Sequence, residues 1–177
     1  MIVFIDFEAS SLSKTSFPIE VGWVFEDGQS FSCLIRSAPD WDDWSEEAEA
    51  IHRISREDLR REGTAVETVA QKMLDMLAGH DLFASAPSWD GKWLSVLLRA
   101  GGFPRHALRL RKSDEAFFEA ARKILDQTHS DNEVEKLVSD IVSQSEPIAP
   151  AHRALPDARL ELDRLHVVRW EASKIAR

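Results

Sequence analysis

The sequence predicts an α/β layered domain built on a mixed sheet. Three observations carry this. Strand-like segments crowd the first 36 residues as a meander, and from there strand patterns alternate with helical ones. No repeat, low-complexity tract or linker divides the 177 residues, enough chain for one sizeable core and short for two, so residues 1–177 are expected to form a single domain.

The first strand is the apolar run of residues 2–5, ending on Asp6. Residues 19–36 read as a hairpin, because PIEVGWVFE and SFSCLIR are rich in β-branched and aromatic residues and Asp27-Gly28 between them is a two-residue turn signal. Residues 38–62 read as a polar, irregular connection. Thr64 and Glu67 have capping-box spacing, Val66, Val69, Ala70, Met73 and Leu77 follow at helical intervals, and Gly79 stops the helix. A short strand over 81–86, a helix over 89–100 ended by Gly101-Gly102, and a fifth strand over 107–111 come next. Ser113 is expected to cap a helix with Asp114 and Glu115 in its first turn. Ser130 and Glu133 form a second capping box before the apolar face of Val134, Leu137, Val138, Ile141 and Val142. Pro147 and Pro150 break the chain, and a last helix runs from about Pro156, as its first helical residue, to about Ala172.

The formal net charge of −9 argues against a protein that coats nucleic acid by electrostatics alone. It is compatible with an enzyme whose bound cations supply positive charge where it is needed. No apolar stretch reaches the length of a membrane span, and MIVFIDFE lacks the basic start of a signal peptide, so a cytoplasmic location and no membrane partner are expected. The single cysteine, Cys33, excludes an internal disulfide and reads as a small hydrophobe in a strand.

The chemistry-bearing residues are acids. Asp6 and Glu8 stand two apart at a strand end, and such side chains share a face. Taken alone they are equally a solvated strand terminus. Asp90 lies at the start of a helix after a strand, and Asp157 in the first turn of the last helix, where acids are favoured anyway. What those plain readings do not explain is His152, five residues before Asp157 in a proline-flanked loop.

Together these blocks resemble the DEDDh 3′-to-5′ exonucleases, which have a ribonuclease H-like fold. FIDFEASSL resembles the first motif with Asp6 and Glu8, SAPSWDGKWL the second with Asp90, and HRALPDA the third with His152 and Asp157. AIHRISREDL is similar to the I-H-x-I segment that lies near the terminal nucleotide in that family. The resemblance implies a ribonuclease H-like mixed five-stranded sheet with flanking helices. It implies that Asp6, Glu8, Asp90 and Asp157 hold two Mg²⁺ or Mn²⁺ ions and that His152 takes the proton of the attacking water. The substrate would be the 3′ end of single-stranded DNA or RNA, touched by Ser10, Ser11, Leu12, His52 and Ile54. A homodimer is a further expectation, since some relatives pair to complete a substrate site. The family's tyrosine branch is excluded, because the chain has no Tyr. The alternative is a noncatalytic nucleic-acid or protein interaction module on the same fold.

The chain departs from the family pattern at Ala9, where Thr is common, at APSWD, where an Asn-containing stretch ending in Phe-Asp is usual, and at Arg53, where Gly is typical. These departures bear on substrate preference. Trp41, Trp44 and Trp89 are expected to pack in the core, with base stacking as the alternative, and Trp93 and Trp170 to lie on buried helix faces. Lys14 is expected near the site mouth. Arg105, Arg109, Arg111 and Lys112 form a local basic run that either guides a phosphate backbone or solvates a strand end.

Overall fold

Side-chain alternation in the first strand sets the layers. In β1 (Ile2–Ala9), Val3, Ile5 and Phe7 point into one core and Phe4 into another, so the strand is buried on both faces. The computed structural model describes residues 1–125, 129–148 and 151–177. β1 pairs antiparallel with β2 (Pro18–Phe25), which pairs antiparallel with β3 (Ser30–Leu34). On its other edge β1 pairs parallel with β4 (Asp81–Ala84), which pairs parallel with β5 (Leu110–Lys112). The sheet is mixed and five-stranded, as the sequence predicts, and its strand order is β3-β2-β1-β4-β5.

Seven helices flank the sheet among the described residues. α3 (Val66–Leu77) and α4 (Pro87–Ala100) cover one face, where Val69, Ala70, Met73, Trp93, Leu94 and Leu97 meet Val3, Ile5, Val21 and Trp23. α5 (Ser113–Ile124), α6 (Asp131–Gln144) and α7 (Ala154–Ile175) supply the other, where Phe117, Val134, Val138, Leu162 and Leu165 meet Phe4, Val24 and Phe83. Phe4 is fully buried, with ring centroids 6.1 Å from Phe83 and 5.8 Å from Phe117. None of the helices is long and apolar enough to cross a membrane among the described residues.

Several sequence expectations need correction. The connection at 38–62 is not irregular throughout: it holds α1 (Glu46–His52) and α2 (Arg56–Glu62), each opened by a serine cap, Ser45 and Ser55. Ser55 and Asp58 make a reciprocal capping box. The box expected at Thr64 is absent, because the backbone turns helical one residue later and Ala65 occupies the cap. Ser113 is the first residue of α5 rather than its cap, with Lys112 at the cap position and Glu115 accepting from the Lys112 N–H. The box at Ser130 and Glu133 forms as expected. α7 begins at Ala154, two residues before Pro156, which tolerates the third helical position because the first turn's N–H groups have no intrahelical partner. Pro150 lies outside the described residues. Trp93 is buried but Trp170 is 60% exposed on the outer side of α7, under the Lys174 ammonium.

Candidate active site

The two acids of β1 lie on its α7 face, because they keep the parity of Phe4. On that face the β1–β2 register makes three rows: Phe4 beside Val24, Asp6 beside Gly22, and Glu8 beside Glu20. The ladder shifts register directly after Glu8, a bulge that ends regular pairing and turns the chain away from the sheet. Gly22 is the contact point for α7: a Cβ there would lie 2.4 Å from Leu155 N and 2.7 Å from Ala154 C. A missing side chain therefore lets the N-terminus of α7 rest on the sheet beside Asp6. One turn into α7, Asp157 joins Asp6 and Glu8, each offering a carboxylate oxygen, all within 4.8 Å of one another.

Asp90 arrives from the opposite edge of β1. β4 pairs with β1 only as far as Phe4, which leaves the rest of that edge open. The first turn of α4 occupies the space, and Asp90, 2% exposed, accepts hydrogen bonds from the backbone N–H groups of Phe7 and Ala86. The site thus forms at the carboxyl end of β1, beside the first turns of α4 and α7.

The four acids and their burial raise one another's affinity for protons. Burial, then Asp90, Glu8 and Asp157, push the Asp6 carboxyl well above the carboxylate range. Burial and Asp157 raise Glu8 to about 8, with the Arg153 guanidinium opposing. Burial raises Asp90 to about 7 against its backbone hydrogen bonds, and burial raises Asp157 against the nearby His152. None of the four forms an ion pair among the described residues. A donor set of clustered carboxylate oxygens fits hard divalent ions such as Mg²⁺ or Mn²⁺, which take oxygen ligands and relieve this repulsion.

His152 sits in the left-handed region, φ +49°, just before α7 and near Asp157. Ser10 is fully buried and its hydroxyl donates to Asp43 at 3.1 Å while accepting from the Phe17 N–H. Ser11 donates to the same carboxylate at 2.5 Å, and Ser13 and Thr15 join it at 2.7 and 3.2 Å. Burial alone would raise Asp43, but these hydroxyls hold it below the usual carboxylate range. Leu12, at the tip of this loop, is 71% exposed. His52 and Ile54 are both 3% exposed: Ile54 packs with Phe17, Ile19 and Leu59, while His52 accepts from the Ile54 N–H through Nδ1 and leaves Nε2 without a partner. Arg53 between them caps α1 in the left-handed conformation, φ +59°, which gives a physical reason for glycine at this position. Trp41 stacks on Phe17 with Trp44 tilted beside it, whereas Trp89, next to Asp90, is 38% exposed against Trp93 and Lys92. Half of the basic run is paired with acids of the chain, Arg111 with Glu115 and Glu119 and Lys112 with Asp114.

The sequence motifs do not single out Glu20, Asp43 or the buried Glu161, which pairs with Arg164 at 2.7 Å and whose charge raises Asp6 and Asp90. Glu161 lies four residues after Asp157, so helical spacing alone could have placed both on one face.

No known family model matches the chain, and no curated protein does. Solved structures do. The nuclease domain of 3′hExo, described as a DEDDh family member bound to rAMP, superposes with a TM-score of 0.66 at 15% identity, covering 97% of this chain and 93% of that one. This chain has the fold of the DEDDh exonucleases. The same ribonuclease H-like arrangement recurs in the zinc-bound E. coli exonuclease I complex with single-stranded DNA, at a TM-score of 0.68 and 14% identity over 96% of this chain. It recurs in a 3′-exonuclease that recognises the histone mRNA stem-loop, at a TM-score of 0.66 and 15% identity over 97% of this chain. The chain spans 40% of that exonuclease I chain and 64% of that 3′-exonuclease chain.

Proposed function

We propose that residues 1–177 form one exonuclease domain that hydrolyses phosphodiester bonds from the 3′ end of single-stranded DNA or RNA and releases nucleoside 5′-monophosphates. The observation that carries this reading is the convergence of Asp6, Glu8 and Asp157 within 4.8 Å, with Asp90 beside them and, among the described residues, no cationic side chain bonded to any. An acid set this costly to bury points to a site made for cations. Neighbours of the same fold bound to single-stranded DNA and to rAMP support the substrate class.

Asp6, Glu8, Asp90 and Asp157 would hold two ions, Asp6 facing both Asp157 and Asp90. When bound, such ions supply positive charge to the phosphate oxygens and make water more acidic. His152 takes the proton of the water whose oxygen attacks phosphorus. The bond from phosphorus to the O3′ of the preceding nucleotide breaks, that oxygen takes a proton from solvent, and the terminal nucleotide leaves with its phosphate. Leu12 reaches the terminal nucleotide directly, Ser11 and Ser10 hold its loop through Asp43, and His52 and Ile54 form the floor beneath it.

The test is a gel assay on 5′-labelled single-stranded DNA and RNA oligomers with Mg²⁺, Mn²⁺ or chelator, beside Asp90→Ala and His152→Ala. A ladder shortening from the 3′ end, lost with chelator or either substitution, is the expected result. Folded protein that cuts no oligomer with either metal would instead favour the noncatalytic module.

A further inference from the structure

Glu20 is a carboxylate on the sheet's α7 face that lies outside the cluster. It neighbours Glu8 across the β1–β2 pair and is 4% exposed. Both its oxygens are engaged by one segment. Arg153 Nε donates to Oε1 and Oε2 at 3.1 and 2.9 Å, Arg153 Nη2 donates to Oε1 at 2.6 Å, and the Ala154 N–H donates to Oε2 at 3.0 Å. Ala154 is the first residue of α7, and Arg153, at its cap position, has no side-chain cap of the usual kind. Glu20 therefore supplies from a neighbouring strand the anion a helix N-terminus favours. The residue immediately before this fork is His152.

His152 needs such a restraint. A non-glycine residue at φ +49° occupies a sparsely populated region that persists only where its surroundings hold it. It lies outside α7, so the helical backbone ladder does not set its conformation. A bidentate arginine–carboxylate pair fixes distance and orientation together, which a single hydrogen bond does not.

We propose that Glu20 is the positioning residue for His152: acting through Arg153 and the Ala154 N–H, it fixes the left-handed turn that holds the imidazole beside Asp157. The proposal rests on the exonuclease reading above. It separates two tasks on one face of the sheet, with Glu8 facing the cation site and Glu20, its cross-strand neighbour, aiming the base.

A double-mutant cycle tests it. His152→Ala is expected to lower kcat by about 10²–10⁴-fold. Glu20→Gln is expected to lower kcat by about 10–100-fold, the scale of a misplaced catalytic group, with little change in KM. In the His152→Ala background Glu20→Gln should have almost no further effect on kcat. Arg153→Gln, whose side chain is 45% exposed and so tolerates replacement, should reproduce the pattern if Glu20→Gln folds poorly. Hydrogen exchange of the metal-free protein should speed up at Ala154 in both variants while the rest of α7 stays protected.

An equal loss of kcat in both backgrounds would mean that the pair merely docks α7, and would overturn the proposal while leaving the exonuclease reading intact. Unchanged exchange at Ala154 would also overturn it. A wild-type chain with no nuclease activity would remove the exonuclease reading and the positioning role with it, while the exchange experiment would still report whether the fork holds the turn.

Discussion

Replacing Glu8 by Gln should stabilise the metal-free protein while destroying its site. Glu8 moves from 4.5 to about 8 on folding, first through burial and next through Asp157. The native state therefore binds more protons than the unfolded chain between about pH 4.5 and 8, and stability falls as pH rises through that window. At ~1.36 kcal/mol per pK unit, the interval from 4.5 to 7 corresponds to about 3 kcal/mol at pH 7. Sharing of protons among the coupled acids and the partial exposure of Glu8 reduce this to ~1–3 kcal/mol. Gln mimics the protonated acid at every pH. In chelator at pH 8 the variant should melt about 3–10 °C above wild type, and near pH 4.5 the two should coincide. Thermal unfolding in EDTA across this range reads the result directly. A variant less stable than wild type at pH 8, or a gap that does not change with pH, would refute the electrostatic account.

Mn²⁺ should raise the wild-type melting temperature more at pH 8 than at pH 6 and release protons on binding, because it takes the carboxylates in their ionised form; calorimetry in two buffers of different ionisation enthalpy measures this, and Asp157→Asn should abolish it. Gly22→Ala places a methyl against the backbone of Leu155, which cannot swing away. It should cost about 1–3 kcal/mol and weaken Mn²⁺ binding, and an unchanged urea midpoint with normal metal affinity would show that α7 does not rest there. Arg53→Gly relieves a left-handed residue and should gain up to about 1 kcal/mol in urea unfolding, and a lowered urea midpoint would refute this.

What could be read in the sequence follows the range of the physics involved. The hairpin was legible because Asp27-Gly28 is a local signal, and the shared face of Asp6 and Glu8 because strand alternation needs no tertiary information. α1 and α2 were missed because seven residues give no hydrophobic period, although Ser55 and Asp58 displayed a cap. Thr64 displayed the same pattern and does not use it, so spacing alone overcalls caps. Trp170 was misplaced because α7 buries Glu161 and Arg164 while exposing Val167 and Trp170, which defeats a simple apolar count. The acids' meeting was inferred only from the order of three motif blocks. The part played by Glu20 was invisible, because it depends on a strand register and on where a helix 134 residues later comes to rest.

The order of these residues along the chain also governs when the site can exist during synthesis. Asp6 and Glu8 precede His152 and Asp157 by about 150 residues of chain. Closing a segment of that length is entropically slow, and until α7 settles over Gly22 the early acids face an unfinished layer. A growing or half-folded chain would thus hold Asp6 and Glu8 apart from Asp157, and the carboxylate cluster would assemble only when α7 docks.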